Sequence, residues 1–141
     1  MNRSERWLHN KIKSYALLEC EIESARSRLK QVSYSVTANY DLCGGGSGSF
    51  ESSKVETLAV RRVELEREVE QKRELLDWID DAIDNAGLNK REWDLIVCTK
   101  SGYSLSAYAR KENIYKSHVY KIRDNALKKM VEYMKNNTKR A

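Results

Sequence analysis

Apolar residues recur at helical spacing from Ser4 to about Val32: Leu8, Ile12, Tyr15, Leu18, Ile22, Ala25 and Leu29. The pattern predicts an amphipathic helix with one narrow buried stripe. A second long segment, 53–86, repeats it with Val55, Leu58, Leu65, Val69, Leu76, Ile79 and Ile83. Arg62 and Lys72 interrupt the seven-residue repeat of that segment, so an unbroken long coiled coil is not expected. Two helices with thin stripes must bury them against each other, the C-terminal part or a second chain. The simplest arrangement is an antiparallel helical hairpin, and the stripe reads as packing rather than as a cofactor site.

Between the two helices lie "VSYSVTANYDL", which holds the β-formers Val32, Tyr34, Val36 and Thr37, and then "LCGGGSGSFESSK". A phosphate-cradling loop needs G-x-x-x-x-G-K-[ST] between a strand and a helix. Here Ser49 and Phe50 follow Gly48, and no lysine stands at the required place. A glycine-serine run of this kind is a connection between helices, spanning 43–52. Tyr34, Tyr40 and Phe50 can pack that loop onto its neighbours.

The pattern changes after Gly87. Asn89 is placed as an N-cap with Glu92 as its capping-box partner, and Leu88 and Trp93 are spaced for a hydrophobic staple. A helix is expected over "REWDLIVCTK", burying Trp93, Ile96 and Val97 and stopping at Ser101-Gly102. Ser104 then caps a short helix, "LSAYARK". The connection "ENI" follows, and a last helix runs from near Lys116 to about Met134. Small Ala109 suits a close helix crossing, and Asn113 stands where left-handed backbone is commonly required. Ile114, Val119, Ile122, Ala126 and Met130 form the inward face. This is the order of a helix-turn-helix, although an ordinary helical hairpin has similar spacing.

Charge adds a direction. Residues 87–141 carry 13 Lys and Arg against 5 Asp and Glu, whereas residues 1–86 carry 13 against 16. Any polyanion is therefore expected at the C-terminal part. A chain of 141 residues without proline and with 33% charged residues suits a helical protein with a modest core. No apolar run reaches the ~20 residues of a membrane span, and the N-terminus has no apolar leader. Cys20, Cys43 and Cys98 are scattered, and His9 and His118 are isolated, so neither disulfides nor a metal site are expected. No nucleophile-base pair or framed carboxylate pair points to an enzyme, no cofactor is called for, and a cytoplasmic setting is expected.

The segment "SLSAYARKENIYKSHVYKIRDNALKKM" resembles bacterial sigma-factor region 4, "S-L-x-E-I-A-x-x-L-G-I-S-x-x-x-V-x-x-I-x-x-x-A-L-x-x-L". Ser104, Leu105, Ala109, Ile114, Val119, Ile122, Ala126 and Leu127 match identically, and Tyr108 and Met130 match as apolar residues. Glu112, Asn113 and Tyr115 depart from the apolar residue, the glycine and the Ser/Thr cap of that pattern. The whole plan is similar to the phage late-gene transcriptional regulators of the RinA/ArpU type. In that family a Gly-rich loop precedes "S-K-x-E-x-x-A-V", which here reads Ser53-Lys54-Val55-Glu56-Thr57-Leu58-Ala59-Val60.

The resemblance implies an all-α protein with a helical hairpin and oligomerisation region at 1–86 and a helix-turn-helix DNA-binding domain at 87–141. It implies a sequence-specific activator of phage packaging, structural or lysis genes in a bacterial host. Double-stranded DNA is the implied partner, with host RNA polymerase and a second copy of the chain as further candidates. Lys116, Ser117, Tyr120 and Lys121 match the pattern's base-reading positions. Arg110, Lys111, Arg123, Lys128 and Lys129 are better placed for the phosphate backbone. Two other readings remain open: a phage small terminase subunit recognising packaging-site DNA, and a coiled-coil interaction protein with a degenerate helix-turn-helix.

Overall fold

The computed structural model describes the backbone of residues 1–42 and 49–140, with side chains over 1–32 and 56–138. Among the described residues the chain is all-α, with six helices and no strand: α1 (Arg3–Lys13), α2 (Tyr15–Leu42), α3 (Ser49–Asn85), α4 (Lys90–Lys100), α5 (Leu105–Glu112) and α6 (Lys116–Arg140). They fall into two compact units. One comprises Met1–Leu18 and Leu75–Ala141, and the other comprises Glu19–Glu74.

The smaller unit is an antiparallel pairing of α2 with α3. Ala25 and Val32 of α2 bury with Leu65 of α3, and Leu29, Leu58 and Val69 flank them. The stripe read from the sequence is thus the packed face. Lys72, one of the two residues that break the repeat, reaches Glu21 across the pair at 2.9 Å and Glu68 on its own helix at 2.7 Å. Those bonds raise the lysine's pKa and lower that of Glu68. Arg62, the other interruption, pairs with Glu66 along the exposed face of α3.

The larger unit gathers α1 and the C-terminal helices. Leu8, Ile12, Ile79, Leu95, Ile96, Val119, Leu127 and Met130 are almost completely enclosed. Each such side chain contributes about 2 kcal/mol relative to exposure. Tyr15 donates its hydroxyl to Asp80 Oδ2 at 2.6 Å, and Lys100 Nζ sits 2.6 Å from Asp80 Oδ1 and 4.4 Å from the Tyr15 ring centroid. This knot ties the start of α2 to the ends of α3 and α4.

Several boundaries differ from the sequence reading. The first segment is two helices, divided at Ser14. The β-formers of "VSYSVTANYDL" are helical, because α2 continues to Leu42, and α3 already begins at Ser49 within the expected 43–52 loop. Residues 43–48, and the side chains of Tyr34, Tyr40 and Phe50, lie outside the described residues. The last helix runs to Arg140 rather than stopping near Met134. Trp93, expected in the core, is 44% exposed, and Val97 is only half-buried; Leu95 fills the space with Ile96. The buried face of α4 is therefore turned by one residue position, about 100°, from the one read, with Ile96 common to both.

Candidate nucleic-acid interface

The site is built on α4, α5 and α6, whose ends are set by local hydrogen bonds. Asn89 Oδ1 accepts the Glu92 N–H at 2.9 Å, and the Asn89 amide donates to Glu92 Oε1 at 2.7 Å. The reciprocal contact of the expected capping box is thus made side chain to side chain. At the other end of α4, Tyr103 N–H donates to Cys98 O and Gly102 N–H to Thr99 O, with Gly102 at φ 97°. That is the Schellman ending, which needs left-handed backbone at its central residue. Ser104 caps α5 by accepting the Ala107 N–H at 3.1 Å.

The same ending closes α5 without a glycine. Asn113 adopts φ 55° and ψ 47°, Ile114 N–H donates to Ala109 O at 3.1 Å, and Asn113 N–H to Arg110 O at 3.4 Å. Asparagine tolerates this conformation better than most residues, so the departure from glycine leaves the tight turn intact. The turn delivers Ile114 to a cluster of Leu95, Tyr108, Ala109, Val119 and Ile122. Ala109 is the small residue at the crossing of α5 and α6, as its spacing predicts.

With Val119, Ile122, Ala126 and Met130 buried, the opposite face of α6 is left to solvent. Lys116, Ser117, Tyr120 and Lys121 are all exposed and lie within an arc of roughly 140° over the first two turns. Tyr120 is held in place by two cations: Arg123 stands 4.9 Å from its ring centroid and Lys116 stands 6.0 Å away. Arg110 and Lys111 are exposed at the end of α5, beside the turn, and Lys128 is exposed further along α6.

Two of the nine candidates are put to other uses. The Arg123 guanidinium bonds the neighbouring Asp124 carboxylate at 2.9 and 3.0 Å while stacking on Tyr120. Lys129, its side chain still 42% exposed, places its ammonium 2.8 Å from Glu92 Oε1, a carboxylate that is almost fully buried. The remaining seven are exposed on the end of α5 and along α6. They can meet a groove edge with Tyr120 and the helix start, and phosphates with the outlying cations.

His9, set aside in the sequence as isolated, is buried on α1 with both ring nitrogens unpartnered. Burial, then Lys13 and Arg123, lower its pKa to about 4, against a smaller opposing effect of Asp124. It is a neutral core residue. No ligand signal accompanies it: among the described residues no group of three or more His, Cys, Asp or Glu is placed to hold a metal ion. No helix among them is long and apolar enough to cross a membrane.

The sequence reading missed a full capping box at the N-terminus. Asn2 Oδ1 accepts the Glu5 N–H at 2.8 Å, and Glu5 Oε2 accepts the Asn2 N–H at 3.1 Å. The N-x-x-E signal that marks Asn89 was present there too. Comparison with known proteins finds no match for this chain among family models, characterised proteins or solved structures.

Proposed function

We propose that α5 and α6 work as a helix-turn-helix and that the protein is a sequence-specific DNA-binding transcriptional regulator. The carrying observation is the exposed quartet Lys116, Ser117, Tyr120 and Lys121 on the first two turns of α6, directly after the left-handed Asn113. In helix-turn-helix proteins that part of the second helix meets base edges in the major groove. Lys116 and Lys121 are suited to guanine O6/N7, and Tyr120 to a thymine methyl. Arg110, Lys111 and Lys128 are suited to phosphates, and the excess of cations in residues 87–141 favours approach to a polyanion. The resemblance to RinA/ArpU regulators extends the reading to activation of phage late genes, with the α2–α3 pair free for self-association or polymerase contact.

The test is selection of bound fragments from a random duplex library, followed by footprinting of the enriched site. Enrichment of one motif, protected over a major-groove face, is the expected result. Uniform binding of all duplexes would remove the sequence-reading role. Absence of any binding at low salt would leave an interaction protein in its place.

A further inference from the structure

Away from the exposed face of α6, the larger unit carries a groove of about 580 Å³ between α1, the end of α3 and the C-terminal turns of α6. Its floor is apolar, made by Leu8, Val131 and Met134, all buried. Trp7 and Trp78 wall it, yet they remain 45% and 38% exposed. Half-exposed tryptophans over an apolar floor are the residues that dominate binding energy at interfaces, and contiguous apolar surface of this kind marks an interaction site.

The rim specifies what fits. Its charged lining residues are Arg3 and Lys135, both exposed cations; no carboxylate lines the groove. Neither cation makes an ion pair among the described residues. Asp81, close to Trp78 in sequence, is taken up by the Tyr133 hydroxyl and the Asn85 amide. The α6 wall, from Val131 to Thr138, extends about 10 Å at 1.5 Å per residue, or two helical turns.

We infer that this groove docks an acidic amphipathic helix of a partner protein, with about two turns of apolar side chains on the floor and carboxylates at Arg3 and Lys135. Helix-in-groove recognition places anchors at i, i+3 or i+4, and i+7, which matches the length of the wall. A two-fold dimer through this face would bring the same patch against itself, setting cation against cation. A small ligand would be left largely in solvent by a groove this open, whereas ligand pockets enclose most of their occupant. Val131 lies 14 residues beyond Ser117, about 21 Å along α6, so the groove can be filled while the first turns of α6 are occupied. The inference therefore stands independently of the DNA-binding reading.

The experiment uses the full chain carrying Trp93→Phe, so that Trp7 and Trp78 are the remaining tryptophans, and follows their fluorescence. The probes are a covalently stapled 14-residue helical peptide with leucine at i, i+4 and i+7, glutamate at four flanking positions and alanine elsewhere, and its counterpart with lysine in place of glutamate. The glutamate peptide is expected to bind at least tenfold more tightly, and Arg3→Glu with Lys135→Glu should invert that preference. Both substitutions are at exposed positions, and circular dichroism verifies that the fold is kept. Equal affinity for the two peptides, or no response from either up to millimolar concentration, overturns the inference. So does a dimer in sedimentation that the double charge reversal or Trp7→Ser abolishes, which would make a second copy the occupant. Displacement of the peptide by decanoate at equal concentration would assign the groove to a small amphiphile and overturn it as well.

Discussion

The Lys129 ammonium lies 2.8 Å from the Glu92 carboxylate, which is itself almost fully enclosed and caps the start of α4 through Asn89. The pair fastens α6 to α4 behind the exposed face of α6. It also divides two adjacent lysines by function: Lys128 faces solvent, whereas Lys129 neutralises a buried charge. Lys129→Ala should therefore lower unfolding stability by about 1–3 kcal/mol, because it leaves a buried carboxylate with less compensation. Lys128→Ala should change stability by less than about 0.5 kcal/mol. Urea unfolding of both variants measures the contrast, and similar midpoints would show the Glu92 pair to be energetically idle.

On DNA the expected order reverses. Lys128→Ala should weaken cognate and scrambled duplexes alike and reduce the salt slope by about 0.9, the effect of one lost phosphate contact. Tyr120→Ala removes no charge and should leave that slope nearly unchanged while costing roughly 1–3 kcal/mol on the cognate site alone. Fluorescence anisotropy at several salt concentrations reads both. Equal losses on the two duplexes for Tyr120→Ala, at unchanged stability, would show that this face does not read sequence.

Asn113 offers a backbone test of the turn. At φ 55° and ψ 47° a side chain is strained unless it is glycine or asparagine. Asn113→Gly should be neutral or stabilising by up to about 1 kcal/mol, and Asn113→Val should cost about 1–2 kcal/mol. Thermal unfolding followed by circular dichroism gives both values. A valine variant as stable as the parent would mean that the turn does not hold its left-handed conformation.

Buried His9 links stability to pH. Its folded pKa, about 4, lies below the 6.5 of the unfolded chain. Above pH 6.5 neither state binds the proton, so His9 exerts no pH dependence. As pH falls from 6.5 to 4 the unfolded chain takes up a proton that the folded chain refuses, and stability declines. The loss reaches about 3 kcal/mol near pH 4. Urea midpoints between pH 7.5 and 4.5 should fall more steeply for the parent than for His9→Phe. Parallel profiles would place the acid sensitivity elsewhere.

Much of this arrangement is legible in local patterns. Periodic apolar positions identify both faces of the α2–α3 pairing, since a 3.6-residue repeat fixes a face without reference to its partner. Asn89, Ser104, Gly102 and Asn113 mark helix ends because capping and left-handed backbone are decided within five or six residues. The exposed quartet of α6 follows from the same reasoning, as the face opposite Val119, Ile122 and Ala126. The first long segment runs past the Val32 end read from its stripe because the weak β-preference of residues 32–37 is one that a helix, once begun, readily overrides. Trp93 misled because hydrophobicity names residue types suited to a core but not which of several neighbours the core has room for.

What the chain could not disclose locally are relations between residues distant in sequence. Nothing near Lys129 distinguishes it from Lys128; only the arrival of Glu92, 37 positions away, turns one into the partner of a buried carboxylate. Likewise Trp7, Trp78 and Met134 come from three separate helices, and their shared groove exists only once those helices pack. Helix periodicity and caps are properties of short segments and are set by sequence. Burial, pairing and concavity are properties of assembled surfaces, which tertiary packing alone creates.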